Sequence, residues 1–452
     1  MSKLTIFILL ISVLLSCTGN RKTEITLHLI GSTAPNPELH IGQTTYPLEV
    51  DASGKGLLSL EQEQQGYASL KLGKERIPLY IEPGKSFTIY IYGDHACGNA
   101  RFEGKGAAKN SYLQQEMLNR PQLNYELDEQ AFLQQLDEHI ARKFHLVDSL
   151  QFDALFSEIE KKRIRFSTYS ALENYPLYHA WSTGNKEYTP DSTYLNRVRS
   201  LIIEDESLME LEEYKTGIAS LVYLISTYNQ KEYNAYKQLK AQTSYVLENM
   251  HNPTLKEFLI NRFTYNYLMG AGIDEHTGEV VEIFNTHVRD TAYRSRFFDC
   301  YRRSLRIAEG QPSCDFTFTD KNGRAYHLKD FEGQYLFLNI WTTWGLPCRT
   351  ENISWEKLAA QFKDKNIQFV SVSCDKERSV WERTIRKDST LSRQLYMGKD
   401  ESFQDFYMIR GVPRFILIDP QGNIIGSDMP RPSDPAATHI LQELLNDTPK
   451  RR

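Results

Sequence analysis

The stretch that decides the fold of the C-terminal third reads Tyr335-Leu336-Phe337-Leu338-Asn339-Ile340-Trp341-Thr342-Thr343-Trp344-Gly345-Leu346-Pro347-Cys348-Arg349. Its first six residues are nearly all apolar, the pattern of a strand covered on both faces. A helix is predicted from about Cys348 to Lys363. Ile367–Ser373 reads as the next strand, and Trp381–Arg386 as helical. Arg414–Ile418 and Asn423–Ile425 read as a hairpin turning through Pro420-Gln421-Gly422, and Thr438–Leu445 as a last helix. Residues 309–447 therefore form an α/β domain, because strands alternate with helical patterns.

Upstream, the pattern changes twice. Residues 24–104 read as β: Ile25, Leu27 and Leu29 alternate with other residues, as do Phe87, Ile89 and Ile91. Turn signals at Pro35-Asn36-Pro37, Ser53-Gly54-Lys55-Gly56, Gly73-Lys74 and Pro83-Gly84 separate short strands. That spacing predicts a small antiparallel sandwich. Residues 105–308 read as α. Phe132, Leu136, Ile140, Phe144 and Val147 lie on one helical face, and so do Leu255, Leu259, Phe263 and Tyr267. Asn252-Pro253 supplies a capping side chain and a first-turn proline for the second of these helices.

The chain has 452 residues, enough for two to four domains. Hydrophobic residues make up 40% and charged residues 25%, which excludes a polytopic membrane protein, a collagen-like repeat and a wholly disordered chain. The net charge of −5 carries no signal for nucleic acid. No compact His/Cys/Asp/Glu spacing marks a metal site, and nothing in the motifs calls for a cofactor.

The chain opens Met1-Ser2-Lys3 and continues with a largely apolar run from Leu4 to Leu15. That run is too short to span a bilayer and has the length of a signal-peptide core. The ending Leu14-Leu15-Ser16-Cys17 resembles a bacterial lipobox, which implies a signal peptide over 1–16, lipidation of Cys17 and a linker over 17–23. The residues after Cys17 include neither an immediate Asp nor an acidic run, which resembles periplasm-facing lipoproteins of Bacteroides-like bacteria and implies the outer membrane. Residues 448–452 are a short tail. Removing Cys17 from the six cysteines leaves Cys97, Cys300, Cys314, Cys348 and Cys374, an odd and sparse set that does not form a disulfide framework.

The 309–447 domain resembles the TlpA/ResA branch of the thioredoxin fold. The resemblance rests on Gln311–Phe316, Leu328–Gln334, Trp341–Arg349, Gly411-Val412-Pro413 and Ile418–Gly422, in the family's order. It implies a thiol–disulfide oxidoreductase ancestry, a cis proline at Pro413 and a groove for extended polypeptide. That groove would be formed by Trp344, Gly345, Pro347, Val412, Pro413 and Arg414. The β domain, through Ile81–Lys85 and Phe102–Asn110, resembles the domain that precedes thioredoxin-like domains in Bacteroides-type lipoproteins. The expected architecture is an N-terminal β sandwich-like domain, an α-helical middle region and a C-terminal α/β thioredoxin-like fold.

One departure matters most. The family signature is Trp-Cys-x-Pro-Cys-Arg, and this chain has Trp344-Gly345-Leu346-Pro347-Cys348-Arg349. Exchange needs one thiolate to attack a sulfur and a second thiol to resolve the mixed disulfide. Gly345 stands where the attacking thiol belongs and can do neither task. Several roles stay open for Cys348: partner to Cys374, which follows the neighbouring strand; single-thiol chemistry of the peroxiredoxin kind; or a small buried hydrophobe. Arg414, after the proline, is either a contact for an acidic partner or a solvated side chain. The expected function is a thioredoxin-like lipoprotein with weak or altered redox activity. The alternative is a non-catalytic protein binding an extended polypeptide or a thiol-containing partner.

Overall fold

In the computed structural model the chain divides into two units, Met1–Tyr228 and Asn229–Arg452. The structure describes residues 22–446 apart from 32–36, 43, 62–63, 74, 94–95, 120, 231 and 386–389. The signal segment, Cys17 and the tail over 448–452 lie outside the described residues.

The first unit begins with strands β1 (Thr23–Ile30), β2 (Glu38–Ile41), β3 (Thr44–Pro47), β4 (Lys55–Leu60), β5 (Gly66–Leu72), β6 (Glu75–Ile81), β7 (Phe87–Tyr92) and β8 (Ala100–Gly104). They form two sheets, ordered β4-β1-β7-β8 and β3-β2-β5-β6. Ile25, Leu27, Ile89 and Ile91 from the first sheet share one core with Leu39, Leu70, Ile77 and Leu79 from the second. The alternation read from the sequence thus marks the inner faces of a sandwich. One pairing differs from expectation: β1 and β7 run parallel, with Ile25 opposite Phe87. Parallel neighbours need a long crossover connection, and β2–β6 supply it.

Helices α1 (Ala96–Asn99), α2 (Ala107–Leu118), α3 (Glu129–Ser149), α4 (Ala154–Ser167), α5 (Tyr169–Thr183), α6 (Ser192–Ser200) and α7 (Glu212–Thr227) complete this unit. Asp128, Asp153 and Asp191 cap α3, α4 and α6, each accepting from the N–H three residues later. Asn110 of α2 is fully buried against the outer edge of β6. It accepts from Tyr80 N (2.7 Å) and donates to Tyr80 O (3.2 Å) and Gly106 O (2.8 Å). At Tyr80, peptide groups that an edge strand would otherwise leave unpaired in the interior are satisfied by this one side chain.

In the second unit, α8 (Ala235–Asn249), α9 (Pro253–Ala271), α10 (Thr277–His287) and α11 (Thr291–Arg306) precede the α/β domain. Asn252 accepts from Leu255 N at 2.9 Å, capping α9 as its sequence predicts. The predicted helical stretch over 105–308 is therefore shared between the two units. Arg303 of α11 donates to the Asp405 carboxylate at 2.7 Å, and Ile307 enters the sheet's core.

The α/β domain holds β9 (Thr317–Thr319), β10 (Ala325–His327), β11 (Tyr335–Trp341), α12 (Leu346–Gln361), β12 (Ile367–Ser373), α13 (Arg378–Ile385), β13 (Arg393–Tyr396), α14 (Ser402–Phe406), β14 (Arg414–Ile418), β15 (Ile424–Gly426) and α15 (Pro435–Asn446). The sheet order is β10-β9-β13-β12-β11-β14-β15. β11 is central, parallel to β12 and antiparallel to β14. Its alternate residues serve two layers. Leu336, Leu338 and Ile340 pack with Val370, Val372 and Ile416 on one side. Phe337 packs with Trp355, Phe369 and Phe415 on the other. The continuous apolar run of β11 is thus explained by burial on both faces.

Candidate functional site

The carboxyl end of β11 delivers Trp341 to a short loop, and α12 starts at Leu346 with Gly345 as its N-cap. Pro347 fits the first turn, where its missing N–H costs no hydrogen bond. Gly345 has φ −69° and ψ 111°, an ordinary extended cap that offers no side-chain acceptor to the first-turn N–H groups. Gly345 itself is buried, while Trp344 and Leu346 on either side are 75% and 66% exposed.

Cys348 lies one turn into α12 and has no solvent exposure. It packs in a cluster with Trp341, Trp381 and Tyr396, against which Val412 rests. Burial pushes its thiol up, and the Thr342 N–H and hydroxyl beside the sulfur offset part of that. This is the reverse of what a peroxide-attacking thiol needs, since the nucleophile is the thiolate.

Cys374 immediately follows β12 and donates its thiol to Trp341 O at 3.3 Å. Burial first, then the charge of Asp375 and the nearby Cys348, push it up to about 12. The two thiols lie close enough for the charge of one to act on the other. Cys374 takes the carbonyl of Trp341, and Cys348 packs against the Trp341 side chain. Cys348 and Cys374 are both free thiols, as are Cys97, Cys300 and Cys314.

The Val412–Pro413 peptide is cis. The pairing of Arg414 with Ile340 sets this loop beside the end of β11. Arg414 differs from both readings of its sequence position. Its guanidinium donates to Asp428 Oδ2 at 2.6 Å and to Ser427 O at 2.8 Å. The β14–β15 hairpin brings that carboxylate within reach, so the side chain is engaged internally, neither solvated nor offered to an acidic partner.

Sequence reading missed Asp375. Its side chain is buried, at 3% exposure, directly after β12. It accepts from Thr343 N (3.1 Å to each oxygen), Thr343 Oγ1 (2.9 Å) and Ser373 Oγ (2.7 Å). An acidic residue ending a strand reads as a turn residue. Only the folded register of β11 beside β12 brings Thr343 to it.

A central parallel pair, an antiparallel β14–β15 hairpin, a helix starting at the thiol-bearing segment and a cis proline beside it define a thioredoxin-like domain. Residues 310–427 match the model of the AhpC/TSA family. The thiol-disulfide oxidoreductase ResA of Halalkalibacterium halodurans is 29% identical over 146 residues, covering 32% of this chain and 80% of that protein. The ResA of Bacillus cereus is 27% identical over 135 residues, covering 30% and 75%. Among solved structures, the thioredoxin domain of a thiol-disulfide oxidoreductase from Bacteroides vulgatus is 28% identical. It covers 31% of this chain and 99% of that one, with a TM-score of 0.29. The chain carries an AhpC/TSA thioredoxin-like domain, and its homologues are ResA/TlpA-like thiol-disulfide oxidoreductases.

Proposed function

We propose that the protein is a thiol–disulfide oxidoreductase relative with weak or altered redox activity. The observation that carries this reading is the pairing of a side-chain-free Gly345 at the helix start with a Cys348 sulfur that has no exposure. The helix N-terminus that would lower the pKa of an attacking thiol has no thiol to act on. The surviving thiols at this end are protonated near neutral pH, because burial pushes both up. The partner is an extended polypeptide or a thiol-containing protein, taken beside Trp344, Pro347 and the Val412–Pro413 loop. The protein works facing the periplasm, held to the outer membrane by lipid on Cys17. Reduction of insulin disulfides by the purified protein tests the redox reading. Turnover close to the uncatalysed rate is expected, and a rate typical of a two-thiol oxidoreductase would overturn it.

A further inference from the structure

We propose that Asp375 is the positioning residue that latches the 342–345 loop over Cys348. The inference rests on the reading of this end of the domain as the thiol site.

Burying a carboxylate is costly unless a cation or several hydrogen bonds compensate. Among the described residues Asp375 has no ion-pair partner, and its compensation is hydrogen bonding alone. Most of those bonds come from one loop residue, Thr343, whose N–H and hydroxyl both donate to it. Ser373 supplies the rest from β12, and the Asp375 N–H donates back to Ser373 Oγ at 3.1 Å. The carboxylate is therefore oriented by its own strand and spends its acceptors on the loop.

The neighbours of Thr343 show what that grip holds in place. Thr342 precedes it, and its hydroxyl and the Cys348 sulfur both crowd the same face of Gly345. Gly345 follows two residues later. A Cβ on Gly345 would lie 3.0 Å from both Thr342 Oγ1 and Cys348 Sγ, so hydroxyl, glycine and thiol are packed without spare room. Ser373 pairs with Trp341 across the sheet, so the anchoring end is part of the rigid core. A loop tied at Thr343 keeps Thr342 and Gly345 against the sulfur. Releasing that tie opens the route to Cys348 by local rather than global unfolding.

The test is native-state labelling with the aromatic disulfide DTNB at pH 8, with modified cysteines located by mass spectrometry. The Cys348 thiolate takes one sulfur of the reagent and releases the other as a thiolate, so each labelled site reports one opening. Cys300, buried in α11 of the same unit at 4% exposure, is the internal control. In Asp375→Ala, Cys348 labelling should rise at least tenfold while Cys300 labelling stays within about twofold of wild type. Asp375→Asn keeps an acceptor for Thr343 and should return Cys348 to within about threefold of wild type. An unchanged Cys348 rate in Asp375→Ala overturns the latch, and so does a parallel rise at Cys300. Should Asp375→Ala fail to fold, Thr343→Val decides in its place. It removes the hydroxyl donor alone, and a Cys348 rate equal to wild type there overturns the proposal. Labelling needs no turnover. An inactive Gly345→Cys protein would sink the redox reading and leave this result standing.

Discussion

Gly345 and Cys348 stand in the geometry of a disulfide that only one of them can make. A Cβ built on Gly345 would lie 3.5 Å from Cys348 Cβ and 3.0 Å from Cys348 Sγ. Disulfides hold their Cβ atoms about 3.5–4.5 Å apart, and an S–S bond of about 2.04 Å sets the Cβ to far-sulfur distance near 3 Å. The helix start has kept the spacing of a two-thiol site although the first thiol is missing.

Gly345→Cys should therefore restore a working pair. The introduced thiol meets Thr342 Oγ1, also 3.0 Å from the new Cβ, and that hydroxyl must yield by a few tenths of an ångström. Cys348 can then resolve a mixed disulfide, and the helix dipole favours the new thiolate. On oxidation, thiol titration should show the loss of two thiols relative to the reduced variant. Insulin reduction should rise at least tenfold above wild type and fall back when Cys348→Ser is added. A variant that forms the bond and gains no activity would show that the groove itself has changed, favouring a non-enzymatic binding role.

The parts of this site that were legible in the sequence are those that a local pattern encodes. The apolar run Tyr335–Ile340 announced a doubly covered strand, and Ile367–Ser373 matches β12 residue for residue. α12 begins at Leu346, two residues ahead of its predicted start, because Pro347 suits a first turn as well as a loop. What stayed hidden depends on contacts between distant segments. Alternation marks the inner face of β1 and β7 but carries no direction, so their parallel pairing was invisible. Arg414 finds Asp428 only through the hairpin that follows it. Asp375 meets Thr343 only because β11 and β12 end side by side. The helical periodicity of 105–308 shows which face is apolar, not which neighbour covers it, so the division of those helices between two units had no local signal.

Asn110 gives a test of the first unit. Replacing it with Leu preserves approximate volume but leaves Tyr80 N–H without its acceptor, and Tyr80 O without a donor, at a site with no solvent access. Each unsatisfied buried group costs about 1–3 kcal/mol. Asn110→Leu should lower unfolding stability by about 2–5 kcal/mol, read from denaturant unfolding by circular dichroism. Amide exchange at Tyr80 should become fast. Protection unchanged at that amide would show that β6 is closed by something other than Asn110.

The proposed lipid anchor is tested at Cys17. A single residue carrying several acyl chains holds a protein to a bilayer, at about 0.8 kcal/mol per buried methylene. Cys17→Ser removes the acceptor and should move the protein from the membrane fraction to the soluble one. Membrane fractionation equal to wild type would remove the anchor from the proposal.

The last prediction concerns pH, and its sign follows from which state holds the proton. Folding half-buries Cys374 beside Asp375 and pushes its pKa up to about 12, well above that of an exposed thiol in the unfolded chain. The folded state keeps the proton where the unfolded state has lost it. This contribution to stability is complete below the unfolded pKa and is lost as pH rises toward the folded one. The slope is about −1.4 kcal/mol per pH unit between those limits. Unfolding followed by tryptophan fluorescence reads this unit, where Trp341, Trp355 and Trp381 are buried. Cys374→Ser keeps a donor for Trp341 O and does not titrate in this range. Below pH 8 the two proteins should show parallel stability profiles. From about pH 9 to 10.5 wild type should lose about 2 kcal/mol more than Cys374→Ser. Profiles that stay parallel through pH 10.5 would show that Cys374 titrates as an exposed thiol does.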